Sequence, residues 1–356
     1  MQTPLHNTYR KLQAGGPFSV GFLGGSITEG SGASDPDKTG WAPLVADWLK
    51  TSYPQADISI IQASIGGTGS DLGACRCDQD LLSKGPDLVF IEFAVNDTGN
   101  PDDQLVARAM EGIVRQILRH DLQTDIVFVY TLCQEMLPYY RKGENPPKVV
   151  LHQAVADHYR IPTVNAGVRL LRQLDDSGAP WSSLFADVVH PSDAGHAVYA
   201  QQVIAFLQPL LVPGPGRAEM PGLLKRPLEH GRLQDAWDLE NEGWQRTDDS
   251  LSGRYPHMLV TDTPGAQIRH RFSGTCAGVY WLIAPDSGDI YWHIDDQPPQ
   301  RLSSWDEYAL KYTRACYSML ASDLTEGEHV LTIRHAGEKQ PQSTGTWVRI
   351  GALLIA

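Results

Sequence analysis

Phe18-Ser19-Val20-Gly21-Phe22-Leu23-Gly24-Gly25-Ser26-Ile27-Thr28 is the stretch on which the reading of the fold turns. Phe18 to Leu23 reads as a buried strand, and Gly24-Gly25 breaks it and delivers a serine at its carboxyl end. The next segment has helical spacing, with Trp41, Leu44, Val45, Trp48 and Leu49 on one face. Asp57 to Gln62, Asp87 to Val95 and Asp125 to Leu132 read as further strands. A helix carrying Val106, Ala109, Met110, Ile113 and Ile117 on one stripe lies between the last two. Pro146 to Tyr159 and Ser192 to Leu210 read as later helices, with a short strand at Pro162 to Val164 between them. Strands that alternate with helices pair in parallel through right-handed crossovers, which predicts a three-layer α/β/α sandwich.

The pattern ends at Leu211 to Gly222, LVPGPGRAEMPG, where proline and glycine replace periodicity. Beyond it, Gln267 to Phe272, Ala277 to Ala284, Asp289 to Ile294, His329 to Arg334 and Trp347 to Leu354 are short alternating or β-branched runs. Turn clusters such as Asp286-Ser287-Gly288 and Asp295-Asp296 divide them. This predicts an all-β sandwich, jelly-roll-like, as a second domain. The expected domains are 1–212 and 217–356.

Composition narrows the function. With 29 Lys and Arg against 42 Asp and Glu, the 356-residue chain carries a formal charge of −13 and has no clustered basic patch. Nucleic acid and anionic membranes are therefore not expected as partners. Met1 to Gln13 is polar, without the basic cap and apolar run of a signal peptide, and no apolar run suits a membrane helix. Five cysteines, odd in number and sparse, suggest reduced thiols and a cytoplasmic protein. Cys75-Arg76-Cys77 has no second cysteine pair nearby, so it reads as small residues on a helix rather than a metal site.

Ligands of open α/β sheets bind at the carboxyl ends of the strands, so the chemistry is sought there. Ser26 comes after two glycines, but no lysine stands beside it, as a phosphate loop would require. Gly67-Thr68-Gly69 lacks the third glycine of a dinucleotide fingerprint. A helix-capping serine is the plainer alternative. A nucleophilic serine needs a base, and His190 is the best candidate, with Asp187 three residues before it to hold the imidazole. The order Ser, Asp, His is a known triad order. A metal site made of Asp187, His190, Asp193 and His196 competes for the same segment. It leaves Ser26 and the other strand ends without a role. Acyl transfer also needs donors for an oxyanion. The second strand ends near Gly66-Gly67, and the third ends in Asn96, whose side-chain amide is a suitable donor.

Gly25-Ser26, Gly67, Asn96-Asp97 and Asp187-x-x-His190 fall in the order of the short sequence blocks of the SGNH hydrolases, the GDSL esterase/lipase superfamily, which residues 15–210 resemble. The resemblance implies a flavodoxin-like α/β/α hydrolase domain. It further implies Ser26 as nucleophile, His190 as base, Asp187 as its partner, and an oxyanion hole of the Ser26 and Gly67 amides with the Asn96 side chain. The usual Gly-Asp-Ser is Gly24-Gly25-Ser26 here, Gln62 stands where asparagine is common, and Ala94 where glycine often stands.

Other residues carry structural expectations. Glu92 lies in an apolar strand and needs a partner such as Arg76. His196 packs behind His190, Cys133 lies in the core, and Trp281, Trp292 and Trp305 serve packing before sugar stacking. The expected function is a serine esterase acting through an acyl-enzyme, with O-deacetylation of a carbohydrate favoured. A short-chain lipid or aryl esterase, an acyltransferase and a non-enzymatic carbohydrate-binding protein are the alternatives. No metal or organic cofactor is expected. The expected partner is a small-molecule or oligosaccharide ester, with a homo-oligomer allowed.

Overall fold

The computed structural model describes residues 3–248, 254–255 and 257–356. The chain divides into two compact units, Met1–Glu229 and His230–Ala356. The first opens with α1 (His6–Ala14), β1 (Gly16–Gly24), α2 (Ser26–Glu29), α3 (Pro36–Thr39), α4 (Trp41–Ser52), β2 (Ala56–Gln62) and α5 (Ser70–Asp80). It continues with β3 (Leu88–Glu92), α6 (Ala94–Asp97), α7 (Asp103–His120), β4 (Asp125–Tyr130), α8 (Leu137–Tyr140), α9 (Pro147–His158), β5 (Thr163–Asn165), α10 (Ala166–Ser177) and α11 (Asp193–Leu207).

The sheet order is β2-β1-β3-β4-β5, parallel throughout. Its central strands are sealed on both sides, as parallel strands under helices must be: β3 and β4 are buried along their whole length. Phe22 stacks on Phe90 at 5.1 Å between ring centres, and Trp41 of α4 meets both rings edge-on. β1 lies beside β3 with Gly24 opposite Glu92, so the ends of these two strands are level. No described helix is long and apolar enough to cross a membrane.

Two expectations need correction. The third strand stops at Glu92, and Ala94–Asp97 turns into the short helix α6 rather than continuing as strand to Val95. The first unit also continues past 212 to Glu229, so the segment from 217 to 229 belongs to it. Leu228 is buried, its N–H donates to the Arg108 carbonyl at 3.0 Å, and its carbonyl accepts from Gln116 Nε2 at 3.0 Å. Gly112 of α7 permits this approach, since a Cβ there would lie 2.5 Å from the Leu228 carbonyl carbon. The Glu111 carboxylate accepts the Leu223 and Leu224 N–H groups at 2.6 and 2.8 Å, and Arg115 pairs with Glu229 at 2.9 Å. Proline and glycine mark where periodicity ends, whereas these contacts mark where packing ends.

The second unit comprises β6 (Arg232–Asp235), β7 (Glu240–Glu242), β8 (Gln245–Thr247), β9 (Met258–Thr261), β10 (Gln267–Ser273), β11 (Ala277–Ile283), β12 (Asp289–Ile294), β13 (Gln300–Ser303), β14 (Arg314–Ala321), β15 (Glu328–His335) and β16 (Val348–Ile355). Two antiparallel sheets, β13-β12-β15-β10-β7 and β14-β11-β16-β9-β8 with β6 beside β16, enclose one core. Ile268, Ile290 and Ile333 from one sheet meet Val279, Trp281 and Ile350 from the other, which makes a β-sandwich. Trp281 and Trp292 are buried in that core, and Trp305 is half-buried.

Candidate active site

The Gly24-Gly25-Ser26 turn is shaped by what glycine leaves out. At Gly24 a Cβ would lie 2.7 Å from both the Glu92 carbonyl oxygen and Thr28 Oγ1. At Gly25 it would lie 1.9 Å from Asn96 Oδ1. Asn96 therefore occupies the space that any side chain at the middle position of the motif would need. Ser26, 9 % exposed, opens the short helix α2 directly after this turn.

A single loop presents His190 and Asp187. His190 Nε2 lies 2.9 Å from Ser26 Oγ, and Nδ1 lies 2.7 Å from Asp187 Oδ2. Asp187 Oδ1 accepts the Val189 and His190 N–H groups, both at 2.7 Å, so the carboxylate is oriented by the loop it belongs to. Partial burial works to raise the Asp187 pKa. Hydrogen bonds from the His190 ring and from the His190 and Val189 N–H groups outweigh it and hold the carboxyl below its usual range. The loop is braced by Trp181, whose Nε1–H donates to the Asp187 carbonyl at 2.6 Å while its ring stacks on Phe185 at 3.7 Å. Gly32, at φ +90°, lets the chain after α2 approach the same loop, since a Cβ there would lie 2.3 Å from the Pro191 carbonyl oxygen.

The rival metal cluster does not converge. Asp193 turns to the other side, where its carboxylate accepts from Ser34 Oγ and N–H at 2.6 and 2.8 Å and from Thr39 Oγ1 at 2.7 Å. The bond from the Ser34 hydroxyl, then those from the Ser34 N–H and Thr39, pull its pKa down to about 2. His196 is buried in α11, accepts the Trp41 N–H at 3.3 Å and donates from Nε2 to the Ser31 carbonyl at 3.1 Å. Burial lowers its pKa to about 4.

The remaining predicted residues lie around Ser26. Gly67 is exposed, and its φ of +73° is a left-handed conformation that favours glycine. The preceding Gly66 N–H donates to Glu29 Oε2 at 2.8 Å, which ties this turn to α2, the helix that Ser26 opens. Among the described residues, neither the Ser26 nor the Gly67 main-chain N–H is given to a protein acceptor. Asn96 stands beyond the end of β3, partly exposed, with its Oδ1 buried and unpartnered among the described residues. Ser26, Gly67, Asn96, Asp187 and His190 thus come from three strand ends and one loop.

Glu92 has other partners than the expected Arg76. Its Oε2 accepts from Thr28 Oγ1 at 2.9 Å and its Oε1 from Thr131 Oγ1 at 2.8 Å, and all three side chains are buried. Burial pushes its pKa up to about 7 against the opposing pull of the two hydroxyls. Arg76 instead donates to the Ala63 and Gly24 carbonyls and pairs with Asp80 at 3.1 Å. Cys75, Cys77 and Cys133 are buried, and burial raises the pKa of Cys77 to about 12. Sequence reasoning did not single out Glu29, Trp181 or His152. Glu29 carried a local signal, an acid three residues after the serine. Trp181 and His152 carried none, because their partners are distant or main-chain.

A serine, histidine and aspartate in sequential hydrogen-bond reach on a flavodoxin-like sheet define the class of serine-type ester hydrolases. The α/β unit belongs to the GDSL-like Lipase/Acylhydrolase family, which residues 22–198 match. An acetylxylan esterase of Geobacillus stearothermophilus is 27 % identical over 213 residues, covering 52 % of this chain and 91 % of that protein. Among solved structures, a two-domain esterase (CEX) active on acetylated mannans matches with a TM-score of 0.85 at 24 % identity, covering 98 % of this chain and 93 % of that one. The same esterase co-crystallised with mannopentaose matches with a TM-score of 0.84. The chain therefore combines a GDSL-type acylhydrolase domain with a C-terminal β-sandwich.

Proposed function

We propose that this esterase removes acetyl groups from oligosaccharides, with Ser26 as nucleophile, His190 as general base and Asp187 as its partner. The observation that carries the reading is the His190 ring, with one nitrogen 2.9 Å from Ser26 Oγ and the other 2.7 Å from Asp187 Oδ2. Ser26 Oγ attacks the acetyl carbonyl while its proton passes to His190 Nε2, and Asp187 stabilises the imidazolium. The Ser26 and Gly67 N–H groups and the Asn96 amide receive the oxyanion. Collapse expels the sugar oxygen, which takes the proton from Nε2 and leaves acetyl-Ser26. Water then gives a proton to Nε2 and attacks. The second collapse releases acetate and returns that proton to Ser26 Oγ. The residues themselves supply nucleophile, base and oxyanion donors, so the route calls for no cofactor.

Two observations support an acetylated glycan as substrate. Both the two-domain relative and the acetylxylan esterase act on acetylated polysaccharides by name. The site also lies at the surface, with Gly67 exposed and the Asp187 side chain 51 % exposed, which suits a small acyl group on a bulky alcohol. Five free cysteines support action in a reducing compartment.

Ser26→Ala tests the mechanism. Loss of a triad member costs roughly 10⁴-fold or more in kcat, and a fluorophosphonate should label only the parent protein. Acetylated mannan and xylan oligosaccharides should be cleaved with higher kcat/KM than aryl esters of longer acyl chains. Labelling that persists in the variant would overturn the nucleophile, and a preference for long acyl chains would overturn the substrate.

A further inference from the structure

The geometry points to His152 of α9 as a positioning residue for the oxyanion donor Asn96. This role rests on the functional reading above and adds to it a residue that touches neither substrate nor triad. The oxygen of the Asn96 amide makes no hydrogen bond among the described residues, so the side chain is not anchored through that atom. Its helix, Ala94–Asp97, has four residues, too short to be stable by itself.

Asp97 anchors it. Its carboxylate is fully buried and has one partner on each oxygen. Oδ1 accepts the N–H of Ser70 at 2.8 Å, and Oδ2 lies 2.9 Å from His152 Nε2. A carboxylate only accepts, so Nε2 carries the hydrogen and donates it. Ser70 opens α5 three residues after Gly67. One carboxylate therefore fastens the turn that carries Gly67 to the turn that carries Asn96, and His152 holds that carboxylate from a third element.

α9 is itself well seated for this task. Pro146 and Pro147 fix where it starts. Lys148, one turn before His152, donates to the Asn100 carbonyl at 2.6 Å and pairs with Asp103, securing the chain just beyond α6. His152 is 1 % exposed, so water does not replace its hydrogen bond when the ring is removed. A buried carboxylate oxygen left without a donor must rotate toward another, which releases Ser70 or drags α6. A displacement of about 1 Å at a catalytic group can cost on the order of 10²-fold in rate. An oxyanion donor acts in the transition state, so kcat should fall while KM holds.

The test is a double-mutant cycle on the full chain with a small aryl acetate. His152→Phe and His152→Gln are each made alone and together with Asn96→Ala. Expected are a kcat lowered about 10- to 10²-fold by His152→Phe with KM within about twofold, and a smaller loss for His152→Gln, whose amide can still donate to Asp97. In the Asn96→Ala background the His152 changes should have little further effect, because the donor they misplace is gone. Unchanged kcat in both single variants, or losses that multiply with that of Asn96→Ala, would overturn the inference. Where circular dichroism shows His152→Phe unfolded, His152→Gln carries the cycle. An Asn96→Ala variant of unchanged kcat would instead overturn the functional reading.

Discussion

Among its described residues the α/β unit pairs His190 with Asp187 and His152 with Asp97, at ring-to-carboxylate distances of 2.7 and 2.9 Å. They differ in surroundings. The first lies on a surface loop, its side chains 29 % and 51 % exposed, and the second nitrogen of its ring meets a serine hydroxyl. The second is sealed, at 1 % and 0 %, and its carboxylate accepts the N–H of Ser70 from another element, whereas Asp187 accepts N–H groups of its own loop. On the roles proposed above, the same two residue types serve in one place for proton transfer and in the other for fastening two turns. A histidine–aspartate pair becomes a proton-transfer device when its free nitrogen reaches a nucleophile that substrate can also reach.

Exchanging each aspartate for asparagine is the sharpest way to break the comparison. Asp187→Asn should lower kcat by roughly 10⁴-fold, since an amide cannot fix the tautomer or stabilise the imidazolium. Asp97→Asn should act only through the placement of Asn96, costing about 10- to 10²-fold. Equal losses in steady-state kinetics would erase the distinction drawn between the two pairs.

Glu92 offers a second contrast, as a buried acid without a cation. Its folded pKa of about 7 lies above the ordinary 4.5, so the folded state binds the proton more tightly. The stability that Glu92 contributes is then fully present below pH 4.5 and is lost as pH rises through about 7, on the order of 3 kcal/mol. Glu92→Gln should abolish that decline in thermal unfolding measured across this range. A parallel pair of curves for parent and variant would remove Glu92 as its source.

The smallest effect is expected at Asp193, which faces solvent. Its folded pKa of about 2 lies below the ordinary 3.8. The stability it contributes is present above 3.8 and lost as pH falls through about 2. Asp193→Asn should flatten the acid end of the unfolding curve slightly, and a variant that loses stability there as steeply as the parent would contradict this assignment.

The strand ends were the legible part of the chain. Ser26 and Asn96 each come after a buried apolar run and Gly67 after the half-exposed edge strand β2, and the sheet brings such ends to one edge whatever the details of packing. Asp187 and His190 were legible because their hydrogen bond is local. Glu92 shows why the rest was not. Formal charge suggested Arg76 as its partner, but the carboxyl is satisfied by two hydroxyls and the guanidinium by main-chain carbonyls. Which of several polar groups a side chain faces depends on packing that no spacing records. β14 escaped notice because all eight of its residues are half-buried, which leaves no alternation to read. α10 is a different case, since Leu170, Leu171 and Leu174 form a buried stripe that periodicity alone could have found.

Asp97 grips two motifs that sequence comparison treats as separate, and this bears on how the domain can be recombined. A segment exchange that imports the turn around Gly67 from another family member, but keeps the native Asn96 turn, would split one carboxylate from half of its attachments. The smallest transplantable cassette is therefore discontinuous: residues 66–70, residues 94–97 and position 152 move together, although more than fifty residues of chain separate the last two.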